Sequence, residues 1–132
     1  MQLEGLARAA VTALEEIKAR DIAVMDVRKL TSLFDTVIVA TADSARQTKA
    51  LARHLQDAAK EAGGHVVGIE GEDSGEWVLV DLGEIVVHIM QPAIRDYYHL
   101  EELWGGQRPG PSRTTGLGPA ISRRALSSAS DT

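Results

Sequence analysis

Apolar residues recur at steps of three and four through the first segment of the chain, at Leu3, Leu6, Ala7, Ala10, Val11, Leu14 and Ile17, with Glu4, Arg8, Glu15 and Lys18 between them. That period predicts an amphipathic helix over Leu3 to Lys18. The pattern then shortens. Ile22 to Val27 and Thr36 to Thr41 are β-branched runs bounded by polar residues, which predicts two strands joined by Arg28 to Asp35. Ser44 and Gln47 have the spacing of a capping box, in which the hydroxyl accepts from an orphan amide and the longer side chain reaches back. Asp43 adds negative charge at the positive helix end. A second helix begins here, with Ala50, Leu51, Leu55, Ala58, Ala59 and Ala62 as its apolar stripe and Gly63-Gly64 as its stop.

Three more strands are predicted at His65 to Ile69, Glu76 to Asp81 and Ile85 to Met90, the last two as a hairpin. Gln91-Pro92 places proline in the first turn of a third helix, where its missing amide costs nothing. Ile94, Tyr97, Tyr98, Leu100, Leu103 and Trp104 supply that helix with apolar contacts as far as Trp104. From Gly105 onward Gly, Pro, Ser, Thr and Arg dominate without a sustained apolar period. Residues 1–105 are therefore expected to form one domain and residues 106–132 a flexible tail.

The hairpin decides what the sheet does. With Leu82-Gly83 as a two-residue loop, Asp81 faces Glu84, Val80 faces Ile85, Leu79 faces Val86, Val78 faces Val87 and Trp77 faces His88. One face then holds Val78, Val80, Ile85, Val87 and Ile89, a core face. The other holds Trp77, Leu79, Asp81, Glu84, Val86, His88 and Met90. Leu-Gly is not a favoured two-residue turn, and a three-residue loop would exchange the second strand's faces. Neither strand offers a solvent face, yet three helices do not obviously cover both sides of five strands. Two readings of Trp77 follow. It belongs to a protein-binding surface rimmed by carboxylates, where a tryptophan contributes much contact area for little lost entropy, or the third helix folds back over it.

Composition bounds the function classes. At 132 residues, with 44% apolar and 25% charged, the chain has the size and make-up of one globular domain. The absence of cysteine excludes disulfides, thiolate metal sites and thiol catalysis. No apolar run approaches the roughly 20 residues of a membrane-spanning helix, and Met1-Gln2-Leu3-Glu4 has no basic region leading into an apolar stretch, so a soluble cytoplasmic protein is expected. The net charge of −5 hides a split: residues 1–104 hold 10 Lys/Arg against 18 Asp/Glu, whereas residues 105–132 hold four Arg against one Asp. An acidic body disfavours direct nucleic-acid contact by the folded domain and favours a basic protein partner. The basic tail could tether RNA, though a passive tail is the simpler reading.

Catalytic patterns are scarce. Glu70-Gly71-Glu72-Asp73 gathers three carboxylates but lacks the twelve-residue calcium-loop pattern and a second ligand cluster, so it reads as a solvated turn. In Gly71-Glu72-Asp73-Ser74-Gly75 the serine is one place off for a nucleophile elbow. No phosphate-binding glycine loop occurs, and His54, His65, His88 and His99 fall on different elements without metal-ligand spacing. No cofactor is implied. His88 in an apolar strand reads as a hydrogen-bonded core or interface histidine rather than a base, and capping already explains Ser44.

Three runs carry a resemblance: Asp21-Ile22-Ala23-Val24-Met25-Asp26; Phe34 to Thr41 with Ser44-Ala45-Arg46-Gln47; and Gly75 to His88 followed by Tyr98-His99-Leu100-Glu101-Glu102-Leu103-Trp104-Gly105. Over about residues 3–105 the chain resembles the iojap-related family, whose bacterial members are ribosomal silencing factors. Thr36 and Ala42 stand where family members often have a bulkier residue and a glycine, which leaves the functional positions intact. The resemblance implies a single α/β domain with a mixed five-stranded sheet and three main helices, similar to the nucleotidyltransferase fold without its catalytic signature. It further implies binding to ribosomal protein L fourteen on the large subunit, blocked docking of the small subunit, repression of translation under nutrient limitation, and a homodimer off the ribosome. Trp77, Leu79, His88 and Tyr98 would anchor or support the partner surface, and Glu70, Glu72, Asp81 and Asp96 would meet basic residues. The competing reading is a nucleotidyltransferase-like enzyme holding magnesium on carboxylates such as Asp35 and Asp81.

Overall fold

The computed structural model describes residues 5–105; the expected tail lies outside them. Helix α1 spans Gly5–Glu16, strands β1 and β2 Arg20–Asp26 and Thr36–Thr41, helix α2 Ala45–Glu61, strands β3, β4 and β5 Gly68–Glu70, Trp77–Asp81 and Ile85–Met90, and helix α3 Pro92–Tyr98. A 3-10 turn, Leu100–Trp104, closes the described chain. Together these form a single α/β domain. The strands make one mixed sheet in the order β1-β2-β5-β4-β3, in which β2 and β5 run parallel and the other neighbours antiparallel.

Local sequence explains the helix boundaries. Ser44 Oγ accepts from the Gln47 amide at 3.0 Å, as a capping box requires. The Gln47 carboxamide reaches back one residue further than expected, accepting from the Asp43 amide at 2.7 Å. Its nitrogen donates to the Ile17 and Lys18 carbonyls, tying the start of α2 to the end of α1. Thr48, Leu51, Ala52, Leu55 and Ala59 form the buried stripe of α2. Strand β3 begins at Gly68 rather than His65 and is only three residues long.

The hairpin register differs from the expected one. Asp81 pairs with Val86, Leu79 with His88 and Trp77 with Met90, two residues away from the pairing of Asp81 with Glu84. Leu82 donates to the Ile85 carbonyl at 2.8 Å, so the two-residue loop is Gly83-Glu84. Gly83, at φ +88°, holds the positive-φ first position that such a loop needs and a leucine would resist. A slip of two leaves the side-chain parity unchanged, and each residue therefore keeps its expected face.

Two cores result. On one face α1 and α2 cover Ile38, Ala40, Val78, Val80, Ile85, Val87 and Ile89. On the other, Met25, Val27, Phe34, Val37, Val39, Trp77, Leu79, Val86 and Met90 pack with Leu100 and Trp104. The third helix does not continue to Trp104. It ends at Tyr98, and His99 takes a left-handed conformation (φ 47°, ψ 52°) that turns the chain so that Leu100 and Trp104 drop onto the sheet. The second face is thus covered by the chain's own C-terminal segment.

Candidate functional site

An aromatic ladder runs from the surface into this second core. Tyr97, 59% exposed, meets Tyr98 edge to face at 4.7 Å between ring centroids. Tyr98 lies against Trp77 at 5.4 Å, and Trp77 against His88 at 5.9 Å. Trp77 is buried, and its indole N–H donates to His88 Nδ1 at 3.0 Å. That bond fixes the neutral tautomer of His88, with its proton on Nε2, a buried atom with no hydrogen-bond partner among the described residues. Burial holds the His88 pKa down to about 3, so the ring is uncharged at neutral pH.

A second device fastens the covering segment. Arg95 on α3 is fully buried; its Nε donates to Glu101 Oε1 at 3.0 Å and one terminal nitrogen donates to the Asp21 carbonyl at 2.6 Å and Thr41 Oγ1 at 2.9 Å. One guanidinium therefore joins α3, the 3-10 turn, β1 and β2. A bulge in β1 after Arg20, with Asp21 at φ 50°, interrupts the β1–β2 pairing at the residue whose carbonyl Arg95 takes. The sequence reading missed Arg95 and Glu101, because an Arg and a Glu six residues apart give no local sign that both will be buried. The one available signal was the polar Arg95 between Ile94 and Tyr98 on a helix that otherwise has to cover apolar surface.

The expected site residues separate into three groups. Trp77, Leu79 and His88 are buried under the C-terminal segment, so they shape the surface from below rather than touch a partner in this conformation. Tyr98 is half-buried against Trp77, Asp96 and Tyr97 are exposed beside it, and Glu70 is exposed opposite Leu79 in the β3–β4 ladder. Tyr97 and Tyr98 form the outer end of the ladder, with Asp96 next to them on α3. Asp81 lies at the far end of β4, buried, where its carboxylate accepts from the Gly83 amide at 2.9 Å. Glu72 turns to the opposite face of the sheet and, with Asp73, lines a cavity of about 460 Å³ against Lys49, Arg53, Gln56 and Asp57 of α2. Tyr97 is the residue to add to the expected set, since it is the exposed tip of the ladder.

Of the two carboxylates of the enzyme reading, Asp35 is exposed and Asp81 is buried against the Gly83 amide. Asp35 borders a cavity of about 660 Å³ with Glu84 and His65, and Asp81 is not among its lining residues. Among the described residues no group of three or more His, Asp or Glu is placed to hold a metal ion. No described helix is long and apolar enough to cross a membrane.

Comparison with known proteins agrees with this geometry. A family model described as "Ribosomal silencing factor during starvation" matches residues 1–131. The chain is 58% identical over 109 residues to the ribosomal silencing factor RsfS of Chromobacterium violaceum, covering 83% of this chain and 89% of that one. A crystal structure of a Chromobacterium violaceum protein is similar with a TM-score of 0.78 and 54% identity, over 92% of this chain and all of that one. More distantly, a mouse protein named "Mitochondrial assembly of ribosomal large subunit protein 1" is 34% identical over 97 residues, 71% of this chain and 42% of that protein. This chain, with its five-stranded mixed sheet sealed by its own C-terminal segment, belongs to the ribosomal silencing factor family.

Proposed function

We propose that the protein represses translation by binding the large ribosomal subunit through ribosomal protein L fourteen and occupying surface that the small subunit needs. The observation that carries this reading, beside family membership, is the surface at the outer end of the aromatic ladder. There an exposed tyrosine, Tyr97, meets Tyr98 edge to face, Tyr98 lies against the buried Trp77, and Asp96 and Glu102 are exposed on the same segment. A rigid aromatic anchor in an acidic rim suits a basic protein partner, because it loses little side-chain freedom and its charges steer encounter. Steric occlusion asks for no bond making. Trp77, Leu79 and His88 act as supports: they set the height and angle of Tyr98, and through it Tyr97. The resting form is a cytoplasmic homodimer, in keeping with the family resemblance.

The test is co-sedimentation with purified large subunits, followed by a subunit-joining assay in the same buffer. Wild-type protein is expected to pellet with large subunits and block joining. Tyr97→Ala, at an exposed position, should fold normally yet weaken both effects at least about tenfold, the scale of an interface anchor. Trp77→Phe, which removes the bond to His88, should weaken them less. Wild-type protein that stays in the supernatant at moderate salt overturns the reading, and unchanged binding by Tyr97→Ala overturns this choice of surface.

A further inference from the structure

The acidic body has one basic face, and it lies across the sheet from the aromatic ladder. On α2, Arg46, Lys49, Arg53 and Lys60 are all exposed and spaced by three, four and seven residues. At ~100° per residue these four fall within an arc of about 60°, on the side away from the buried stripe, and over a length of about 21 Å. Among the described residues none of the four makes an ion pair, although 18 carboxylates are available in residues 1–104. Four of the ten basic residues of the body thus stand in one row without a direct ion pair among the described residues. Net charge misleads here. At physiological ionic strength the screening length is ~8 Å, shorter than the distance through the sheet and its two covering layers, so a ligand at α2 senses the row and its immediate flanks rather than the total.

The surroundings of the row select its ligand. Asp57 and Glu61 border it along the helix, and Glu72 and Asp73 border it across the cavity that Lys49 and Arg53 line. A broad acidic protein face would press against these flanking carboxylates. A single line of phosphates would follow the row between them. We propose that α2 is a phosphodiester-binding surface that takes the backbone of an RNA, separate from the protein-binding surface on the other side of the sheet. In the silencing reading above, the domain would then be held on a ribosome from two sides, by protein at α3 and by RNA at α2. The affinity of α2 for RNA does not depend on that reading.

Fluorescence anisotropy with the full-length protein and a labelled RNA duplex of about 16 base pairs tests this. Two variants carry the same change in net charge: Arg46→Gln/Lys49→Gln/Arg53→Gln/Lys60→Gln on α2, and Arg108→Gln/Arg113→Gln/Arg123→Gln/Arg124→Gln beyond the described residues. Wild type should bind and lose affinity about a hundredfold between about 50 and 200 mM salt, as four phosphate contacts predict. The α2 variant should lose most binding and most of the salt dependence, keep its melting temperature, and still bind isolated L fourteen. The other variant should stay within about twofold of wild type. The proposal is overturned if wild type ignores the duplex at about 50 mM salt, if the two variants lose equally, if the loss falls on the second variant, or if polyglutamate displaces the RNA at equal charge. Loss of binding to L fourteen with RNA binding intact would instead remove the silencing reading and leave this one standing.

Discussion

The two faces of the sheet are sealed by different physics. The face under α1 and α2 is closed by periodic stripes on helices of 12 and 17 residues, apolar but for Thr48, whose buried hydroxyl donates to the Ala45 and Gly75 carbonyls. The other face is closed by a seven-residue helix and a five-residue turn, too short to bury an equivalent stripe, and polar groups make up the difference. Buried within or beneath that cover lie the Arg95–Glu101 pair, Thr41, the Trp77–His88 bond and His99. Apolar stripes tolerate sliding, whereas a guanidinium with three bonded acceptors does not. The first face supplies bulk stability; the second fixes one arrangement of a surface segment that carries Tyr97.

This contrast can be broken at its strongest point. Arg95→Ala leaves Glu101 buried as an unpaired carboxylate and frees the C-terminal segment, and it should cost about 3–5 kcal/mol in urea unfolding. Arg95→Met with Glu101→Leu removes both charges and should recover most of that loss. If the double variant is as unstable as the single one, the pair is not what fastens the cover. On the apolar face, Leu55→Ala should cost about 2–5 kcal/mol by leaving a cavity, with the second face intact: the Trp77 near-ultraviolet signal should persist in the folded fraction.

Smaller changes sharpen it. His88 is neutral in the fold, with a pKa near 3, whereas an unfolded histidine titrates near 6.5. Between those values the unfolded chain binds the extra proton, so this residue's contribution is fully present above about pH 6.5 and is lost as pH falls toward 3. His88→Asn keeps an acceptor for Trp77 and removes the titration; its stability should fall less steeply on acidification, by up to about 1.4 kcal/mol per pH unit. Equal slopes would show that the ring is not held neutral. Last, Ser44→Ala should cost about 1 kcal/mol through the lost cap on α2 and leave the pH dependence unchanged.

How much of this was legible in the chain follows the same division. The apolar periods located all five strands and the three helices, and strand alternation assigned Val78, Val80, Val87 and Ile89 to one face and Trp77, Leu79, Val86 and Met90 to the other. Ser44 announced its helix. What sequence did not reveal depends on backbone chirality or on distance along the chain. The hairpin slipped by two because Gly83 suits the first loop position, and the predicted third helix broke because His99 goes left-handed, a conformation uncommon for any residue but glycine. Of the expected surface residues, Tyr98 packs on Trp77 while Asp96 and Glu70 are exposed, whereas Glu72 lines the α2 cavity and Asp81 caps the hairpin loop. Arg95 reaches Asp21 and Thr41 across 74 and 54 residues of chain, contacts that no local window contains.

The parallel pairing of β2 with β5 has a consequence in time. Among the described residues it is the only strand pairing between the β1–β2 hairpin and the β3–β4–β5 meander, and it joins Thr36–Thr41 to Ile85–Met90. Each part can pair locally and fast, but joining them closes a long loop, which makes this the slow entropic step of folding. During synthesis the sheet cannot be completed until Met90 has emerged, and its second face stays bare until Trp104 follows. For that interval the nascent chain carries an uncovered apolar surface, so the order of emergence, as much as final stability, governs how safely the domain is made.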